Sequence, residues 1–203
     1  MSSRTKLRRT VIHIPIAHTP EDMGSLGRRL PSDVAYQRLV QVYWAETQQL
    51  VRALSIDWAK VKVYQDGLPD ASTEIVRKIL AEVNSPNYEL LRWLAAQGAD
   101  LIGTESPALL KEEYGHLQAV LAAKDESAGA SARVAYAERA VALLAERDAY
   151  IAARIAETLP PGGTGLLFIG RAHRVAEKLP ADISVRKLRR RRRATTPTNA
   201  GAV

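Results

Sequence analysis

Four side chains stand out by kind and by place: His18, Asp66, Glu105 and His173. Each comes within four residues of the end of a short apolar run that reads as a strand. In an open α/β sheet, ligands bind where the loops beyond the strand carboxyl ends converge. Two imidazoles and two carboxylates there leave two chemistries open. In one, His18 and His173 donate neutral nitrogens to a divalent metal, a carboxylate completes the site, and bound water loses its proton more easily. In the other, one histidine acts as general base on water, and Arg147 or Arg171 stabilises the oxyanion that develops. Both lead to hydrolysis of a substrate that these residues do not name. The loop holding Thr19, Asp22 and Gly24 reads as a lid or substrate contact. His13 is an odd number of residues from His18, so on a continuous strand the two rings face opposite ways and His13 belongs to the core. His116, on a polar helix flank, reads as exposed.

Several elements must position these groups. Val11 to Ala17, Lys60 to Tyr64, Leu101 to Gly103 and Gly165 to Ile169 read as strands, with a last one from Ile183 to Leu188. Between them, Ser32 is placed to cap a helix over 33–54 whose apolar face carries Tyr36, Leu39, Tyr43, Leu50 and Leu54. Shorter helical patterns cover 72–83 and 88–97. Ser106-Pro107 opens another helix, a longer one covers 131–158, and a short one lies near 172–178. Strands alternating with helices imply an α/β fold with a mainly parallel sheet of four to five strands. The long helix has an apolar seam of Val141, Leu144, Ile151 and Ile155, interrupted by Asp148. A carboxylate there needs a partner: Arg154, a backbone donor, or a group of the site, which makes Asp148 a further substrate-contact candidate. Arg147 falls off that seam. Glu46 interrupts the apolar face of the first helix in the same way.

The chain carries a net charge of +7, and its basic residues cluster at its two ends. Arg186, Lys187 and the run Arg189 to Arg193 account for all of it, and the body between the ends is slightly acidic. The expected division is a basic arm over 1–9, one α/β domain over 10–188, and an arginine-rich, disordered tail over 189–203. The absence of cysteine excludes disulfides, thiolate metal sites and cysteine nucleophiles. No apolar run is long enough to span a bilayer, and the N-terminal pattern does not read as a signal peptide, so a cytoplasmic protein is expected. A second class of function follows from the tail: a non-catalytic binding or regulatory module whose arginines contact nucleic acid or an anionic surface.

The segment Glu146-Arg147-Asp148-Ala149-Tyr150-Ile151, followed after a spacer by Gly165 to His173, resembles the C-terminal signature of the TraB/Tiki, ChaN and erythromycin-esterase superfamily. There an Arg-Asp or Arg-Asn pair on a helix precedes a strand ending in Gly-x-x-His, here Gly170-Arg171-Ala172-His173. The start, Ile12 to His18, looks like the family's first strand, with Pro15 where its Gly would stand. Asp66 is the nearest match to the acidic residue after the second strand, usually Glu. The resemblance implies a family that contains metal-dependent proteases, an esterase and a haem-binding protein, so it fixes no reaction. On the nucleic-acid reading, affinity should fall steeply with salt and be lost when the chain is cut after Val185. Equal binding by the truncated chain would remove that reading.

Overall fold

In the computed structural model, residues 7–23 and 33–189 are described. Five strands, β1 (Arg9–Pro15), β2 (Val61–Gln65), β3 (Asp100–Ile102), β4 (Thr164–Ile169) and β5 (Ile183–Lys187), form one sheet of order β3-β2-β4-β1-β5. Every neighbouring pair is parallel. The fold is α/β, as the alternation of patterns implies. Parallel neighbours need long crossovers, and helices provide them. The helices are α1 (Val34–Arg52), α2 (Thr73–Glu82), α3 (Pro86–Ala96), α4 (Pro107–Ala122) and α5 (Glu126–Thr158).

Two cores explain the layering. Ile12, Ile14, Val63 and Phe168 on one sheet face meet Val40, Trp44 and Val51 of α1 and Leu90, Leu91 and Leu94 of α3. Val11, Tyr64, Leu167 and Ile169 on the other face meet Ile151, Ala152 and Ile155 of α5. Alternate residues of β1 and β4 thus supply opposite layers, which is why these strands read as continuous apolar runs. The buried face of α1 is a correction: Leu39 is 69% exposed and Tyr36 48%, while Val40, Trp44, Thr47 and Val51 face inward. Trp44 and Val51 are fully buried and anchor the helix in this rotation, with Tyr43 and Leu54 of the expected stripe half-buried against the same core. Glu46 is exposed. Asp33 caps α1 through the amides of Ala35 and Tyr36; the expected cap Ser32, and Gly24, lie outside the described residues.

Further differences are local. The Asp125 side chain caps α5 at the amide of Ala128, starting that helix at Glu126. The break therefore lies immediately after α4. Only the 3-10 turn Val175–Glu177 forms near 172–178. Arg9, assigned to the basic arm, instead opens β1 and pairs with Asp182 at 2.9 Å. The arginines from 190 onward lie outside the described residues, and no helix among those described is long and apolar enough to cross a membrane.

The loops beyond β2 and β3 keep pairing after the strands end. Pro69 and Glu105 form a parallel bridge, and the amides of Thr104 and Glu105 both donate to the Leu68 carbonyl. Gly103 allows this approach, because a Cβ there would lie 2.6 Å from the Pro69 oxygen and 2.7 Å from the Asp70 Cα. Backbone cannot yield cheaply at that distance. Gly103→Ala should therefore cost about 1–3 kcal/mol of stability, read as a lower denaturation midpoint. An unchanged midpoint would show that the two loops are free to separate.

Candidate active site

β1 and β4 are neighbours, and so are β2 and β4, so three of the four loops that carry the selected side chains open side by side. Asp66 follows β2 directly. Its amide donates to the Phe168 carbonyl, extending the sheet by one bond, and its Oδ2 accepts the Gly170 amide at 2.9 Å. The His173 Nε2 lies 3.5 Å and the His18 Nε2 3.7 Å from that same oxygen. The convergence of the two histidines expected from the sequence is present, with Asp66 at its centre. Gly170 keeps this approach close: a Cβ would stand 3.1 Å from Asp66 Oδ2, which would have to shift by a few tenths of an ångström, and 3.6 Å from His18 Nε2.

Arg147 and Asp148 of α5 close the other side. Asp148 is 3% exposed; its Oδ1 lies 2.6 Å from His173 Nδ1 and its Oδ2 accepts the Arg174 amide at 2.8 Å. With Nδ1 turned to Asp148, the neutral form of the ring carries its lone pair on Nε2, on the side of the site. Asp148 thus holds an imidazole in place and lies behind it, correcting its assignment as a substrate contact. Arg147, expected off the apolar seam, is 6% exposed, whereas Val141, expected on it, is 79% exposed. The cause is charge. Arg147 donates through Nε to Glu105 Oε2 at 2.9 Å and through Nη2 to Glu105 Oε1 at 2.5 Å and Asp66 Oδ1 at 2.9 Å, while Nη1 reaches Glu113 of α4.

Burial alone would raise the Asp66 carboxyl, but the hydrogen bond with His18 and the charges of His173 and Arg147 outweigh it and hold the group far below the usual carboxylate range. Burial pushes Glu105 up despite the opposing bond from Arg147. Asp66 is therefore the member held ionised, while burial shifts Glu105 in the opposite direction. His18 is raised, first by its bond with Asp66, against the opposing effect of burial. Burial would lower Arg147, but Glu105, Asp66 and Glu113 raise it further.

A cleft of about 690 Å³ opens over this cluster, lined by His18, Asp22, Asp66, Arg147, Arg171 and His173 among others. Arg171 is exposed at its rim. With every Arg147 donor nitrogen already on a carboxylate, Arg171 is the better-placed cation for an incoming group. Asp22 accepts the Ser85 hydroxyl at 2.5 Å and the Thr19 amide at 2.8 Å. Thr19 itself lines a separate cavity of about 260 Å³. His13 is half-buried and away from the cluster, with a ring nitrogen that has no hydrogen-bond partner. Half-buried His116 stacks on Tyr136.

The metal expectation changes its ligands. Asp66, Glu105 and His173 offer atoms within 4.8 Å of one another, and His18 is not part of that set. Glu113 escaped the sequence reading because its helix shows no motif. Tyr88, 4% exposed and lining the same cleft, was hidden by a position that reads as ordinary core. Comparison with protein-family models, curated proteins and solved structures finds no match.

Two outcomes are expected. Removing the guanidinium in Arg147→Met leaves buried carboxylates facing one another and should cost about 3–5 kcal/mol, measured by denaturant unfolding. The His18 contribution to stability is fully present below the ordinary imidazole value of 6.5 and is lost as pH rises through its raised folded value. Melting temperature should thus fall as pH rises above 6.5 in the wild type and stay flatter in His18→Asn.

Proposed function

We propose that the chain is a hydrolase in which His173 activates water. The observation that carries the reading is the pairing of His173 Nδ1 with buried Asp148 at 2.6 Å, which leaves Nε2 facing a cleft. Nε2 accepts a proton from water as the water attacks a carbonyl carbon. Asp66 and Asp148 then stabilise the imidazolium, as preorganised carboxylates do. His18, its pKa raised by Asp66, returns a proton to the leaving group from its charged form. Arg171 is the exposed cation for the developing oxyanion. The resemblance of Arg147-Asp148 and Gly170 to His173 to the TraB/Tiki, ChaN and erythromycin-esterase superfamily, which includes metal-dependent proteases and an esterase, accords with hydrolysis without fixing it.

The donor set of Asp66, Glu105 and His173 favours a second version with a divalent metal. These donors suit such an ion in kind and separation, and Asp148 is the carboxylate that commonly orients a ligating imidazole. Glu105 would first have to release Arg147, which bonds both its oxygens. When bound, the ion would lower the pKa of a coordinated water.

Hydrolysis of p-nitrophenyl esters tests the reading. His173→Gln should lower kcat by about 10²-fold or more, and Asp148→Asn should lower it in the same direction. Full turnover by His173→Gln, or none by the wild type across ester and amide panels, would overturn it. Turnover unchanged by EDTA fits the metal-free version; loss reversed by added Mn²⁺ or Zn²⁺ fits the other.

A further inference from the structure

The cleft has one wall unlike the rest. Leu110, Tyr114 and Leu117 recur along α4, and Tyr136, Ala140 and Leu144 along α5; all six line the cleft and none is buried. The spacings of three and four residues put each set on one helix face. The α5 row leads straight to Arg147 and hence to the reactive cluster. At 1.5 Å per residue, the stretch from Tyr136 to Arg147 is roughly 16 Å long.

We propose that this wall is a trough for an unbranched, uncharged apolar chain attached to the group that is hydrolysed. Two observations select that occupant. A peptide needs backbone partners, but the Tyr136 hydroxyl on this wall donates to Glu113, whose other oxygen takes Arg147. An anionic tail needs a cation along the trough, but the guanidinium at its inner end is spent on three carboxylates. A neutral hydrocarbon asks for neither and gains by covering leucine and tyrosine surface. Two contacts join the helices that form the wall. Arg139 bridges Glu112 of α4 and Glu146 of α5, both at 2.7 Å, and His116 stacks on Tyr136 at 5.6 Å.

The proposal rests on the hydrolase reading only for the position of the scissile group, so binding and turnover are measured separately. The full chain is titrated with the neutral fluorophore N-phenyl-1-naphthylamine, then with straight-chain alcohols from butanol to decanol. Displacement should strengthen about fourfold per added methylene, the ratio set by burying one CH₂, and octanol should outcompete octanoate. Ala140→Trp and Leu117→Gln, each checked for an unchanged circular-dichroism spectrum, should both weaken octanol displacement at least tenfold. Displacement indifferent to chain length, preference for octanoate, stronger displacement by a short apolar peptide, or full binding by both variants would overturn the trough. Chain-length-dependent displacement without ester turnover would retain the trough and remove the hydrolase reading. Turnover equal for acetate and octanoate esters, with no displacement, would do the reverse.

Discussion

The structure depends on one guanidinium. Arg147 gathers Asp66 from the end of β2, Glu105 from beyond β3 and Glu113 from α4, and by doing so joins the sheet to the helical hairpin. Three carboxylates so close would repel strongly in a low-dielectric interior. With Arg147 among them, and with Glu105 shifted toward its protonated form, they are tolerable. The balance explains why an arginine and an aspartate are adjacent and both buried on one helix. Arg147 turns toward the carboxylates and Asp148 toward His173, so a single turn of α5 supplies the cation for one half of the site and the anion for the other.

Asp66 belongs to both halves. One oxygen answers Arg147, while the other faces two imidazoles and the Gly170 amide. The arrangement lets the histidines differ although they share a carboxylate. His18 is partly open to solvent, whereas His173 is enclosed and tied to Asp148.

Much of the fold was legible because its signals are local. Apolar β-branched runs marked the strands, Ser106-Pro107 opened α4, and polar residues after each strand located the site. Two things resisted. The inward face of α1 is rotated from the expected stripe by Trp44, and in α5 Ile151 and Ile155 of the expected seam are buried while Val141 is exposed and Arg147 turns inward, through contacts distant in sequence. Residues such as Glu113 and Tyr88 enter the site by packing, with no pattern near them to announce it. Strand order was also open, because parallel strands that repeat one apolar pattern do not encode their neighbours.

A consequence follows from the continuity of α5, which runs from Glu126 to Thr158 without interruption. Its inner part is core, its middle holds Arg147 and Asp148, and its outer part walls the cleft. Each residue inserted or deleted between Tyr136 and Leu144 would swing everything outward of it by about 100° about the helix axis. The outer row would then face solvent while the reactive cluster stayed intact. Length changes in this helix are therefore quantised: insertions that nearly complete whole turns, seven or eleven residues, keep the two parts in phase, and others uncouple them. The hairpin can be lengthened to reach farther from the cluster only in such steps, with α4 lengthened alongside it.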